Sequence, residues 1–331
     1  MQMAAICGTD AHAMHLAATP APTIFGHENL GVVTELPPSI TNDVLGEPLH
    51  AGDRVIFRDA PCGRCFRCSM GESCERSRAY GMIRADAPPH LRGGFGQYVQ
   101  LSPTPWLLRV PDDVSNERAL LSVIGNHTVL NGIERIGGIN IGDTVVVQGS
   151  GPIGMGGLNQ ARLAGAGRVI VIGAPEGRLE LARRLGADDT IAWADAPEAG
   201  DRVAQVMEMT GGRGADFVIE ASGGLTAYQE GLEMVRIGGR YLVIGQWTDY
   251  GPLPSNPTLL TRKVIRVQGV FSAGDGAGVA GAIVAEVEGE IAGVAAAVFV
   301  GAIGSEDATA SLAAATSRLN RLKRFRSAID K

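Results

Sequence analysis

The middle of the chain alternates short apolar runs with amphipathic stretches. Asp143–Gly149 (DTVVVQG) is a β-branched run of strand length, and a glycine-rich turn carries it into a helix over Pro152–Leu163. Arg168–Gly173 (RVIVIG) predicts a second strand and Glu176–Leu185 (EGRLELARRL) a helix. Asp216–Glu220 (DFVIE), a helix from Leu225 to Arg236, and a strand over Arg240–Gly245 (RYLVIG) continue the pattern. Continuously apolar strands between amphipathic helices are what a parallel sheet covered on both faces requires, because neither face of such a strand meets water.

The first part of the chain reads differently. It is rich in Pro and Gly, offers short strands at Leu30–Glu35 and Arg54–Arg58, and holds all 5 cysteines. This predicts an irregular, mainly β unit with metal sites. After Phe271 the chain turns Ala/Gly-rich and ends in a helix, Glu306–Ser317, followed by a short basic stretch that is expected to rejoin the first unit. The expected division is therefore 1–125 with 273–331, and 126–272. A length of 331 residues suits two cores, since single cores rarely grow past ~250–300 residues.

Hydrophobic content of 45% and charged content of 19% describe a globular chain. A net charge of -6 gives no electrostatic reason to expect nucleic acid or an anionic membrane as partner. The opening MQMAAICGTD lacks the basic start and apolar core of a secretory signal. The apolar run Ile291–Ile303 is too short to span a bilayer and follows Glu286, Glu288 and Glu290. A cytoplasmic location is expected, where cysteines serve more often as metal ligands or catalytic groups than as disulfides.

Three motifs carry chemistry. Cys62-Gly-Arg-Cys65-Phe-Arg-Cys68, with Cys74 following, puts four thiolates on one Pro/Gly-punctuated loop. Such a set can close a tetrahedral zinc site with no open position, which makes it structural. A redox Cys-x-x-Cys is the other option, but that motif begins a helix after a strand. Cys7-Gly-Thr9-Asp10-Ala-His12 and Gly26-His27-Glu28 together supply a thiolate, an imidazole and a carboxylate. These can hold a zinc ion and leave room for a substrate oxygen, whose proton the Lewis acid makes easier to lose. A solitary His beside Glu is more often a surface or core residue; the pair of fragments is more specific. The third motif, Gly149-Ser-Gly151-Pro152-Ile153-Gly154, follows a strand and opens a helix, the context a dinucleotide fingerprint needs. A plain tight turn is the alternative. Its glycines allow close approach of a pyrophosphate to the helix N-terminus.

In this order, over nearly the whole chain, the three motifs resemble the zinc-containing medium-chain dehydrogenase/reductase superfamily. The resemblance implies an α/β chain made of a GroES-like, mainly β catalytic domain and a Rossmann doubly wound parallel sheet. It also implies hydride transfer between a small-molecule alcohol, secondary or cyclic, or its carbonyl, and NAD(P), with a catalytic and a structural zinc. Cys7 and His27 then match the catalytic zinc ligands, and Glu28 the acid that can enter or leave the coordination shell. Thr9 matches the hydroxyl that takes the substrate proton, His12 the histidine that relays it, and Asp10 the carboxylate that orients His27. Thr128 matches a residue near the nicotinamide, and Arg326 a terminal basic residue at the pyrophosphate, although a solvated basic face is the commoner reading of such a run. A dimer or tetramer is implied as well.

The sequence departs from the family at several places. Cys7 comes almost at once, so the catalytic domain is expected to lack its first strands and to expose a sheet edge, unless the start is misassigned. The family's third zinc ligand falls near Ile124, whose side chain cannot bind zinc; Glu28 or His127 is left to compensate, His127 being equally a core residue. The cysteine loop is shorter than usual between Cys68 and Cys74. NAD enzymes place an acid at the end of the second strand, but here Gly173 and Ala174 stand there. Arg178 lies one turn into the next helix and Glu176 would repel a 2′-phosphate, so NAD is expected, with NADP as the alternative. Two other readings remain open. A threonine- or polyol-type dehydrogenase is the sister reading, because Gly125-Asn-His-Thr distantly resembles the former, and the lost strands with Ile124 suit a non-catalytic nucleotide-binding descendant.

Overall fold

A computed structural model describes residues 1–15, 19–70, 74–76, 80–246 and 251–270. The described residues form two compact units, one running to Ile124 and the other starting at Gly125. The expected return of 273–331 to the first unit, the helix at Glu306–Ser317 and Arg326 all lie outside the described residues.

In chain order the first unit contains β1 (Met3–Ala5), α1 (Gly8–Ala13), β2 (Glu28–Val32), β3 (Arg54–Asp59), α2 (Phe66–Ser69), β4 (Pro105–Arg109) and α3 (Asn116–Leu121). Its strands make one antiparallel sheet in the order β1-β2-β3-β4. The strand expected at Leu30–Glu35 starts earlier and stops at Val32, because Val33 turns away to donate its N–H to the Asp53 carbonyl at 2.9 Å. Three-residue β1 is too short to show any periodicity; its place comes from pairing Met3 with Leu30 and Ala5 with Glu28. Central β3 is apolar on both sides. Val55 and Phe57 pack with Val33, Leu49, Tyr80 and Leu107, whereas Ile56 packs with Leu30, Val110, Ala119 and Leu120.

A π-helical turn, Ser122–Asn126, leads into α4 (His127–Arg135). Next come β5 (Thr144–Gln148), α5 (Pro152–Leu163), β6 (Arg168–Gly173), α6 (Glu176–Arg184), β7 (Asp189–Ala192), α7 (Ala199–Met209), β8 (Ala215–Glu220), α8 (Ala227–Met234), β9 (Val235–Val243), α9 (Thr258–Lys263) and β10 (Arg266–Gly269). The six strands are parallel in the order β10-β9-β8-β5-β6-β7. Strand order thus reverses between β5 and β8, the switch point outside which doubly wound sheets bind ligands.

Alternation along the central strands fills both faces. Val145, Val147, Val169, Val171, Phe217 and Ile219 meet Val129, Leu158, Ala161 and Leu179 from α4, α5 and α6. Val146, Ile170, Ile172 and Val218 point the other way, onto Val206, Leu232 and Met234 from α7 and α8. Two-sided burial is why these strands are apolar at every position. One boundary differs from expectation: the helix expected to reach Arg236 stops at Met234, and β9 begins at once with Val235. A register shift between the Ala215–Val235 and Phe217–Arg240 pairs absorbs the intervening residues, so the strand expected at Arg240–Gly245 starts earlier and ends at Val243. Among the described residues no helix is long and apolar enough to cross a membrane.

Candidate metal centres and nucleotide site

The first cluster is organised by a helix cap. Cys7 is the N-cap of α1: its Sγ accepts the Thr9 N–H at 3.2 Å, and Asp10 Oδ2 accepts the Cys7 N–H at 3.0 Å. Reciprocal bonding of this kind satisfies donors that a helix start leaves without partners. Buried Asp10 also reaches across to the segment before β2, where Oδ1 accepts the Gly26 N–H at 3.3 Å and pairs with His27 Nδ1 at 3.2 Å. With the ring proton on Nδ1, the Nε2 lone pair faces Cys7 Sγ, 3.1 Å away. Glu28, the first residue of β2, is buried, and its Oε2 has no hydrogen-bond partner.

One donor atom from each of Cys7, His27 and Glu28 lies within 4.8 Å of the other two. The electrostatics are those of a cation's ligand set. Burial opposes charge on His27, but Asp10 and the Cys7 sulfur outweigh it and hold the imidazole up at about 10. Burial pushes Glu28 up to about 7 against the pull of His27. Burial alone would raise Asp10; its bonds to His27, Cys7 and Gly26 hold it below the ordinary carboxylate value. A divalent ion favours the deprotonated form of each donor, and the unpartnered Glu28 oxygen gives it a further contact. The residues fit zinc. Thr9 and His12 are half-buried on α1, three positions apart and so on one helix face.

The second cluster lies beyond β3. One sulfur from each of Cys62, Cys65, Cys68 and Cys74 falls within 4.8 Å of the others, so the shortened loop still closes. Cys65 caps α2 and its sulfur accepts the Cys68 N–H at 3.4 Å, while Cys74 Sγ accepts the N–H groups of Cys62 and Arg76, both at 3.3 Å. The Cys68 N–H above all draws the Cys65 thiol down to about 6. Contrary to the expectation that set a redox pair aside, Cys65-Phe-Arg-Cys68 does open a helix after a strand, but four converging sulfurs rather than two, with thiolate-favouring N–H donors, can close a tetrahedral zinc site.

In the second unit the glycine turn has the form a pyrophosphate needs. Gly149 sits at φ +112° and packs against Ala221, and a Cβ on Gly154 would stand 1.8 Å from the Gly149 carbonyl oxygen. At Gly151 a Cβ would meet nothing within 4 Å, which leaves open space over the first turn of α5. Pro152 opens that helix and no side chain caps it, so the N–H groups at Ile153 and Gly154 are available to an anion. Gly173 ends β6 against Ser150, whose Oγ accepts the Ala174 N–H at 3.1 Å and donates to the Ala174 carbonyl at 2.9 Å. Arg178 is exposed on α6, and Glu176 pairs with Arg183 at 2.7 Å. Thr128 is buried in the first turn of α4, its hydroxyl 3.3 Å from Nε2 of buried His127.

Glu220 is a residue that motif reading misses. It is fully buried at the end of β8, and its Oε1 accepts the Ser222 N–H and hydroxyl, both at 2.8 Å, and the Gly223 N–H at 2.7 Å. It therefore shapes the loop on the β8 side of the switch point. The available signal was an acid closing an otherwise apolar strand.

A parallel nucleotide-binding sheet and a metal-holding β unit on one chain define a zinc-type oxidoreductase. The models of two families match: the alcohol dehydrogenase GroES-like domain over residues 1–112 and zinc-binding dehydrogenase over 152–285. The chain is 35% identical to the 5-exo-hydroxycamphor dehydrogenase of Pseudomonas putida, over 80% of this chain and 73% of that one. It is 32% identical to the L-threonine 3-dehydrogenase of Bacillus subtilis (strain 168), over 80% and 71%. An alcohol dehydrogenase crystal structure from Thermotoga maritima superposes with a TM-score of 0.78 at 32% identity, covering 84% of this chain and 78% of that one. The chain belongs to the zinc-containing medium-chain dehydrogenase/reductase family. It is an alcohol dehydrogenase that uses zinc and NAD(P) and acts on small molecules.

Proposed function

We propose that this chain oxidises a secondary or cyclic alcohol to the carbonyl with NAD as hydride acceptor, and that Cys7, His27 and Glu28 hold the metal at the substrate oxygen. The observation that carries the reading is the convergence of these three donors, with Glu28 Oε2 buried and unpartnered. A zinc ion bound there supplies a Lewis acid for the substrate oxygen. Asp10 fixes the His27 ring so that Nε2 faces the metal position. Thr9 takes the hydroxyl proton of the substrate and His12, one turn along α1, passes it towards solvent; their spacing on one face supports this order. Cys62, Cys65, Cys68 and Cys74 hold a second, structural zinc.

The pyrophosphate is assigned to the N-terminus of α5, over Gly149, Gly151, Pro152, Ile153 and Gly154, and the nicotinamide to the neighbourhood of Thr128. The end of β6 at Gly173 receives the adenosine ribose. Glu176 near that end, which disfavours a 2′-phosphate, supports NAD; its pairing with Arg183 and the exposed Arg178 make NADP the competitor. The enzyme is proposed to work in the cytoplasm as a homodimer or homotetramer.

Metal analysis coupled to turnover tests the reading. About two zinc ions per chain and alcohol-dependent NADH formation are expected, with NAD giving the higher kcat/KM. The panel includes threonine and polyols, because the threonine dehydrogenase is among the relatives. About one zinc, nucleotide binding and no turnover on any alcohol would refute the catalytic assignment of Cys7, His27 and Glu28.

A further inference from the structure

Trp193 follows β7 directly, and 41% of it is exposed. Its backbone N–H donates to the Gly173 carbonyl at 3.1 Å, which fastens it to the end of β6. The edge of its indole lies beside the loop after β8: a Cβ on Gly224 would stand 3.7 Å from the ring carbon Cη2. One indole face rests on the Arg202 guanidinium, 4.7 Å from the ring centroid. The exposure therefore falls on the rest of the ring, at the carboxyl-terminal edge of the sheet.

Arg202 is a fixed support. Its Nε and Nη2 donate to the two oxygens of Glu230 at 2.9 and 2.6 Å, and Nη1 donates to the Ala196 and Pro197 carbonyls, both at 2.7 Å. Nη2 also meets Thr226 Oγ1 at 3.5 Å, so all five N–H donors are engaged. With its in-plane donors used, only the faces of the guanidinium remain, and one of them carries the indole. Both charged side chains are almost fully buried, an arrangement with a heavy desolvation cost and no need of a surface aromatic for its hydrogen bonds.

Resting on the dinucleotide placement proposed above, we infer that Trp193, held from behind by Arg202, is the stacking platform for the adenine of the bound dinucleotide. Position supports it. In a doubly wound sheet the adenosine ribose lies at the end of the second strand, here β6. Strands are about 4.8 Å apart, so the end of β7 lies about 10 Å from the pyrophosphate turn on β5, the reach of a ribose and a base. Chemistry supports it too. The end of β6 offers Gly173, Ala174 and Pro175, with no acid for the ribose hydroxyls, and the next carboxylate along the chain, Glu176, pairs with Arg183. Recognition of the adenosine half then falls to the base, and an aromatic face backed by a cation is a surface on which a purine stacks. Exposed Leu225, next to Gly224, adds an apolar wall.

The test uses the full chain with Trp193→Ala and Trp193→Phe, and calorimetric binding of AMP, IMP and nicotinamide mononucleotide. Stacked bases contribute enough that Trp193→Ala should weaken AMP about fivefold or more. Trp193→Phe should stay within about threefold of the parent, because a phenyl ring still stacks. IMP should follow AMP in all three proteins, since a stacked purine is held by its face rather than its edge substituents. Nicotinamide mononucleotide should bind equally well throughout. Unchanged AMP affinity in Trp193→Ala overturns the proposal. So does a parallel loss for nicotinamide mononucleotide, or a loss in Trp193→Phe as large as in Trp193→Ala, because either marks Trp193 as structural only.

Discussion

Glu230→Ala would leave the Arg202 charge in the same dry position without its counter-ion. In the native chain the two side chains are 2% and 5% exposed and share two charge-assisted bonds, and Glu230 Oε1 also accepts the Thr226 hydroxyl at 2.6 Å. Solvent screening is slight at that burial, and breaking a buried pair from one side costs about 3–5 kcal/mol. Against a typical total stability of about 5–15 kcal/mol this is a large fraction. It corresponds to a fall in Tm on the order of 10 °C for a unit of this size. Arg202→Leu with Glu230→Ala removes both charges, and the double variant should recover part of the loss because no unpaired ion remains. Thermal unfolding of parent, both single variants and the double variant completes the cycle. A Glu230→Ala loss below about 1 kcal/mol, or a double variant no more stable than the singles, would refute the picture of a strongly coupled buried pair.

The two metal clusters should separate in a simple comparison: Cys62→Ser should lose about one zinc per chain and much thermal stability, whereas His27→Ala should lose about one zinc and turnover with a smaller change in Tm, as metal analysis with calorimetry would report. Gly151→Ala should melt like the parent, since its methyl meets nothing within 4 Å, yet raise the KM for the dinucleotide about tenfold by intruding on the pyrophosphate; an unchanged KM would move the pyrophosphate elsewhere. Gly154→Ala puts its methyl against the Gly149 carbonyl and should lower both Tm and nucleotide affinity. Burial alone would raise Asp216, but the Thr144 N–H, Arg236 and Arg213 together hold its carboxyl below 3.8. The stability it contributes is therefore complete above the ordinary carboxylate value and is lost as pH falls through the lower folded value. Urea midpoints of Asp216→Asn should accordingly be less pH-dependent than the parent's below about pH 4.

Where information is local, the sequence was readable. β5, α5 and β6 form a run of apolar strand, glycine turn and helix within 30 residues (144–173), and their order could be read without knowing what packs on them. The end of α8 was not readable, because the helical pattern runs on through Arg236 while β8 recruits Val235 as a pairing partner for Ala215. β7, α9 and β10 are short and set at the sheet's edges, where few positions are buried and no period develops. The donors at Cys7 and His27 could be named from their motifs; the double reach of Asp10 to both could not, since it depends on the fold bringing position 27 beside position 10. Trp193, Arg202 and Glu230 are ordinary residues in sequence. They gain their arrangement only where α7 packs on α8.

The cap formed by Cys7 has a consequence for how the cluster persists. One sulfur has two duties, capping the start of α1 and facing His27 Nε2, and a serine hydroxyl could perform only the first of them well. A single-atom exchange would then disarm the proposed metal site while sparing the helix start, the Asp10 bridge and the sheet behind it. Chemistry and architecture are therefore separable at this position, and a lineage could lose its reaction in one step while inheriting the scaffold intact.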